Sequence, residues 1–453
     1  MGCPVPPAVG PAPAAGVSLD PEGGRLFPRA PEALAWGIGD PHRPMTSSSL
    51  PLRLLLLALL TGLLAAPAAA QKDKDDDGPD PDPYTEEVRE AMDRAGYVRF
   101  GQMPWADNHG TKDIEEAFGG VEMIWVETEH FRIGSSLPEY TIDRANKVEK
   151  KKLEEELKRL RERLPTAPKK VKKLDPWLRL HLFAMRAEEL YDEIEEMLKV
   201  EDESFPRGPG TVVDGKYMGE GPYLGMTDKY LILLTEKKSA IGRYRSSFLK
   251  SSGSVPIRYM FTTPGCLMFG VAQENDGMAT DTNMHCLFTY SMTMNLLDGF
   301  KYYTHQIPGW MYAGLAHHKA RKIDPTRNYF TDERVFGSDD KNIWKWDVKV
   351  RARVDFDYFP SAEEVMAWTT PEAMEYNDHM MAWARVDYLM KEKPEGFPVY
   401  FDMIKGKLVP KGAPTQEDIL ARQVEAMEQA FGLDPAEFDA LWSEWVLDTY
   451  PKK

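Results

Sequence analysis

A chain of 453 residues that is 42% hydrophobic, 28% charged and 11% aromatic has ordinary globular composition and enough apolar residues for a sizeable core. Its net charge of −16 excludes a general nucleic-acid binder, which would carry a basic patch or stripe. Three cysteines (Cys3, Cys266 and Cys286) without a C-x-x-C pair also exclude zinc ribbons and thioredoxin-type redox chemistry.

Residues 1–44 are rich in Pro, Gly and Ala and have no apolar period, so they read as disordered or as an extension upstream of a true start at Met45. From Met45 the pattern changes. Arg53 precedes an apolar run from Leu54 to Ala66, and Ala68-Ala69-Ala70 precede Gln71. A basic residue, a short apolar run and a small-x-small site make 45–70 a secretory signal peptide. The run falls short of the roughly 20 apolar residues of a membrane span, and no cysteine follows it for lipidation. The expectation is export to the periplasm or exterior, with no membrane span in the mature chain. In an oxidising compartment Cys266 and Cys286 read either as a disulfide pair or as two buried free thiols, and both readings stay open.

Residues 71–84, QKDKDDDGPDPDPY, combine high charge with prolines and read as an acidic disordered linker. The folded part is expected from Thr85. WVETEHFRI at 125–133 alternates apolar and polar residues, which predicts a half-buried strand. A charged helix follows over 143–164. Its mixed signs at i, i+4 spacing predict a solvated face. Asp175-Pro176 starts a second helix, with an N-cap Asp and Pro at the first helical position. Leu180, Ala184, Ala187, Tyr191, Ile194 and Leu198 give this helix one core-facing stripe, and His181 within it reads as a packed or surface histidine.

The Gly- and Pro-rich stretch 204–224 predicts a loop. A strand at 230–234 and a helix to about residue 250 follow, then two strands within 256–272 joined by a Thr-Pro-Gly turn. From Asn283 onward the pattern is helical. Capping boxes are expected at Ser361/Glu364, Thr415/Asp418 and Asp434/Glu437. Trp344 and Trp346 read as a strand with aromatic faces. Met284, Met292 and Met294 read as core packing rather than as a metal-handling cluster.

The segment His285–Lys322, HCLFTYSMTMNLLDGFKYYTHQIPGWMYAGLAHHKARK, carries the most information. It resembles the active-site region of the gluzincin metallopeptidases, specifically the peptidase-MA-like families of exported bacterial proteins. Those families carry HExxH on one helix and a motif close to P-x-W-L-x-E-G-L-A-E-Y on the next. Pro308-Gly309-Trp310 and Gly314-Leu315-Ala316 match the second motif. HMMAWARVDYL at 379–389 and AFGLDPAEFDALWSEWV at 430–446 resemble the helices that follow. The resemblance implies an α+β fold with a gluzincin-like two-lobed scaffold. An α/β lobe with a small sheet and a charged helical hairpin would span 85–282, and a mostly helical lobe holding the active-site helices would span 283–453.

The chemistry of that family needs two histidines one helical turn apart, a glutamate general base between them and a third ligand from the second helix. Here Thr289, Tyr290 and Thr293 occupy the HExxH register, and Ala313 stands where the third-ligand Glu would be. None of these side chains can replace imidazole or carboxylate on zinc. His285, His305, Trp310, His317 and His318 remain as candidates to line the cleft, and a relocated metal site built from His285, His317 and Asp298 is conceivable. His285 beside Cys286 makes no dyad, because neighbouring helical residues point apart. No G-x-S-x-G elbow, P-loop or G-x-G-x-x-G follows a strand. The expectation is an exported pseudopeptidase with no catalytic residues, metal or cofactor, binding a peptide, a glycan or an envelope protein. The alternatives are an active hydrolase with a relocated metal and a purely structural envelope protein.

Overall fold

A computed structural model describes residues 81–453, apart from 207, 209–211, 214, 304–306, 328–341, 343, 369 and 407–415. The expected extension, signal peptide, His305 and the Thr415 cap lie outside the described residues. The last residues of the expected linker are part of the fold. Asp82 is buried and pairs with His181 on the second long helix at 2.9 Å, and His181 in turn meets the Tyr97 hydroxyl at 2.7 Å.

The protein is α+β. Six strands form the main sheet: β1 (Tyr97–Phe100), β2 (Ile124–Thr128), β3 (Phe131–Ser135), β4 (Tyr230–Thr235), β5 (Ile257–Phe261) and β6 (Cys266–Ala272), in the order β1-β2-β3-β4-β6-β5. β4 runs parallel to β3 and β6, while the outer pairs are antiparallel. The expected single strand over 125–133 is therefore a hairpin, β2 and β3, turning at Glu129-His130. All five residues of β2 are buried, so the strand is covered on both faces rather than half-buried as expected. The Thr128 hydroxyl closes the turn by accepting from the Phe131 amide at 3.2 Å. The Thr-Pro-Gly turn joins β5 to β6 as expected, with Thr263-Pro264 cis.

Thirteen α-helices occur among the described residues: α1 (Arg89–Ala95), α2 (Thr111–Ala117), α3 (Lys147–Arg163), α4 (Pro176–Leu198), α5 (Lys238–Phe248), α6 (Asp281–Gly299), α7 (Gly309–Ile323), α8 (Trp346–Asp355), α9 (Ala362–Met366), α10 (Tyr376–Glu392), α11 (Phe397–Lys405), α12 (Gln416–Phe431) and α13 (Pro435–Thr449). Several begin on local side-chain bonds. Asp175 accepts from the Leu178 amide at 2.9 Å, and Ser361/Glu364 and Asp434/Glu437 close the expected capping boxes. Trp346 departs from the expected strand. It opens α8, fully buried, with the Arg321 guanidinium 4.6 Å from its ring centre.

Two cores flank the sheet. Alternation along β4 sends Leu231 and Leu233 to a smaller core with α2 and α5, and Ile232 and Leu234 to a larger one with α3, α4 and α6. The larger core continues from Met92 to Tyr450, across the expected boundary at 282/283. Cys266 lies in the smaller core and Cys286 in the larger, and both are free thiols rather than a disulfide. Burial pushes the Cys286 thiol up to about 12. No helix among the described residues is long and apolar enough to cross a membrane.

The C-terminus of α6 is closed by a lysine. Lys405, on α11, is fully buried and donates to the Leu297 carbonyl at 3.1 Å and to the Asp298 carbonyl. Burial pushes its ammonium down to about 7. The unfolded chain keeps an ordinary lysine near 10.4, so above pH 7 it holds more protons than the folded one. Stability should then climb as pH rises from 7 towards 10, by at most about 1.4 kcal/mol per unit from this group. Urea unfolding at pH 7, 8 and 9 should give that slope in the native chain and a flatter one in Lys405→Met.

Candidate functional site

The two helices that carry the family-like motifs, α6 and α7, lie side by side, with α7 packed between α6 and α10. Thr280 caps α6 by accepting from the Asn283 amide at 3.2 Å. Along α6, Thr289 is buried, Tyr290 is buried, and the Thr293 hydroxyl is spent on the Thr289 carbonyl at 2.7 Å. Ala313 on α7 has no exposed surface. All four positions are buried, and Tyr290 and Ala313 are part of the larger core.

The cleft candidates among the described residues each have a partner. His285 meets Glu156 of α3 at 3.1 Å, beside an ion cluster in which Arg186 of α4 bonds Glu156 and Asp281, each at 2.6 Å. Burial and the Arg186 charge push the His285 imidazole below its usual value. His317 faces His379 of α10 at 3.0 Å, packs against Tyr290 at 4.8 Å between ring centres, and is held neutral by burial. His318 meets Asp387 of α10 at 3.3 Å. Trp310 is fully buried and donates to Gln423 of α12 at 3.0 Å. The structure therefore brings His317 to the motif helices and sends His285 to α3. Among the described residues neither histidine joins a group of three potential metal ligands.

Asp298, the carboxylate considered with them, belongs to a different arrangement. Arg258 on edge strand β5 donates to Asn295 at 2.7 Å and to Asp298 at 2.5 Å, and both Arg258 and Asp298 meet the Tyr312 hydroxyl of α7. Burial, with the Asp298 charge, holds the Tyr312 phenol far above its usual value, so it remains a donor. The network clips the sheet edge to both motif helices. Met260, Tyr302 and Tyr303 are half-buried against the larger core, and Tyr259 is half-buried against the smaller one on the other face of the sheet. Lys301 and Tyr302 turn the chain out of α6 with positive φ, and the Lys301 amide bonds the Leu224 carbonyl at 2.7 Å. Gly225 (φ +99) permits this close approach: a Cβ there would sit 2.7 Å from the Lys301 backbone. Sequence reasoning reached Asp298 but missed Arg258 and Tyr312. An arginine in a short apolar strand was the available signal, since a charge that becomes buried must be paired and hydrogen-bonded.

No protein-family model matches the chain, and no curated protein matches it in sequence.

Proposed function

We propose that the chain is an exported pseudopeptidase: a metallopeptidase-like scaffold that binds an extended polypeptide and does not cut it. The observation that carries this reading is the filling of the motif positions. Where the family it resembles needs imidazole and carboxylate, Thr289, Tyr290, Thr293 and Ala313 are buried, and none supplies either group to a zinc ion. The binding face is strand β5, which ends the sheet next to β6. An extended chain laid along it would add backbone hydrogen bonds to the open edge, with Tyr259, Tyr302 and Tyr303 flanking its side chains. A glycan would gain the aromatic contacts but not the ladder, so a peptide is favoured.

The full burial of Trp310 and Ala313 favours a second reading, a purely structural envelope protein whose cleft is closed. One experiment separates the two. The purified chain is incubated with a library of unstructured peptides, with and without added zinc. Mass spectrometry follows peptide cleavage and backbone hydrogen exchange at residues 257–261. The expected result is an uncut library and slowed exchange along β5. Zinc-dependent cleavage would overturn the proposal, and unchanged exchange would leave the structural reading.

A further inference from the structure

The connection from α3 to α4 carries charge of one sign only. Between Glu162 and Asp175 the chain holds Arg163, Lys169, Lys170, Lys172 and Lys173 and no carboxylate, in a protein whose net charge is −16. Local contacts hold this loop in place. Arg161 donates to the Pro168 carbonyl at 3.1 Å, the Ala167 amide bonds the Leu164 carbonyl at 3.0 Å, and Leu164, Ala167 and Leu174 are buried. Lys173 and Leu174 pair with Thr141 and Tyr140 in a short antiparallel ladder. All five cationic residues are exposed. Lys173 meets Glu139 at 2.7 Å, while Arg163, Lys169, Lys170 and Lys172 have no carboxylate within ion-pair distance among the described residues. Like charges fixed in a row repel one another and attract an anionic partner.

The first described residues lie against the same loop. The Tyr84 carbonyl accepts from the Thr166 hydroxyl at 2.6 Å, and the Tyr84 hydroxyl donates to Asp175 at 2.5 Å. Thr166 precedes the lysines and Asp175 follows them, so Tyr84 touches the loop at both of its ends. Asp82 is anchored beside it on His181, and the exposed Pro81 marks where the preceding sequence departs. That sequence is the acidic run. Asp75, Asp76, Asp77 and Asp80 set four negative charges, with no lysine among them, against the four cations that lack a carboxylate. Reach is ample. Asp80 is four residues from Tyr84 and Asp77 seven, so at about 3.5 Å per extended residue they can extend about 14 and 25 Å from it. Lys169 and Lys172 are three and six residues from Thr166, at most about 10 and 21 Å away by the same measure.

We propose that the acidic segment 75–80 is the partner of this basic loop, bound in cis across Lys169, Lys170 and Lys172. Tethering through Tyr84 gives the segment an effective concentration that an acidic partner in solution does not match. The negative charge of the whole chain disfavours approach to an anionic surface, and the segment lying over the lysines would shield them from one. The contact is independent of strand β5 and of the motif helices.

The test is digestion of the purified chain by a protease that cleaves before aspartate, with the free peptide 71–84 digested alongside and the products read by mass spectrometry. At low salt, cleavage within 75–80 should be about fivefold slower in the chain than in the peptide, as a few exposed ion pairs acting together would give. The difference should vanish at about 1 M salt, where the screening length is about 3 Å. Lys169→Glu/Lys170→Glu/Lys172→Glu, all at exposed positions, should abolish it while leaving the far-ultraviolet dichroism unchanged. Adding Asp75→Lys, Asp76→Lys and Asp77→Lys to that variant should restore protection at Asp80. Equal rates in chain and peptide, or protection that survives in the glutamate variant, would overturn the proposal. Protection that grows with protein concentration would assign the loop to a second copy. Binding of the native chain to phosphatidylglycerol vesicles that the glutamate variant loses would assign it to an anionic surface. Either outcome also overturns it.

Discussion

Replacing Arg186 with methionine should destabilise the protein by about 3–5 kcal/mol, the cost typical of removing one partner from a buried ion pair. The guanidinium is only 1% exposed and holds two carboxylates, Glu156 and Asp281, each at 2.6 Å. Methionine fills similar volume, so the loss is one of charge rather than of packing. Two acidic groups from α3 and α6 would face each other without the guanidinium that bridges them, and losing the Arg186 charge would let the neighbouring His285 imidazole rise and offset only part of that loss. The effect should appear as a lower urea midpoint at pH 7 with an unchanged slope. Burial alone would raise the Glu156 carboxyl, but Arg186 and His285 outweigh it and hold the carboxyl well below the usual range. Its contribution is therefore fully present above about pH 4.3, the unfolded value, and is lost as pH falls below it. The difference between native chain and variant should shrink on acidification. A triple change, Arg186→Met with Glu156→Gln and Asp281→Asn, should recover part of the loss. An equal loss in the triple variant would mean that shape, not charge, had been removed.

Gly314→Val should be the most damaging single change on the motif helices, at about 3 kcal/mol or more, the upper end of overpacking costs. α7 crosses α10 at this glycine. A Cβ placed there would lie 2.5 Å from a Val386 methyl and 2.7 Å from the Ala382 carbonyl oxygen. The first clash can be relieved by a side-chain change and the second cannot, because it is with backbone. Gly314→Ala should therefore already be costly, and Val386→Ala should rescue it only in part. Thermal unfolding of the three variants checks this. Full rescue would show that the helices can separate without loss. The glycine belongs to the Gly-Leu-Ala run that carries the family-like motif, so that run has a packing reason independent of catalysis.

Much of the fold could be read from local chemistry. Asp175-Pro176, Ser361 and Asp434 name their helices because a side-chain oxygen must satisfy the first free amides, and the structure uses all three. The stripe on α4 is real, though Leu182 and Phe183 are buried as well, because the helix lies between sheet and helices and is covered on more than one side. The β2–β3 turn was missed because no glycine or proline marks the reversal, although the run of four polar residues from Glu127 to His130 breaks the alternation of a strand. Trp344-Lys345-Trp346 misled for a related reason. Alternating aromatics fit a strand, but the Trp346 ring is taken by Arg321, Trp383 and Tyr376, which lie on α7 and α10, distant in sequence.

The site was legible only as a list of positions. Thr289, Tyr290, Thr293 and Ala313 could be placed on two helices from the motif spacing, and they do lie on α6 and α7. Which histidine faces which partner could not be read. His285 pairs with a residue on α3, and His317 with one on α10, so each pairing depends on how whole helices cross. The Arg258–Asp298–Tyr312 network joins a strand to two helices for the same reason. A pattern along one helix gives the face a residue occupies, and only packing supplies what it meets.

Strand β4 has a further consequence. Each of its six residues is buried, and its two faces belong to different cores. It is a party wall between two rooms. Removing the apolar contents of either room strips one face of the same strand and loosens the backbone ladder that the other room needs. The smaller core, with α2 and α5, therefore has no private route to melting: hydrogen exchange in α5 and in α6 should report the same opening event, and damage to one side should be felt on the other.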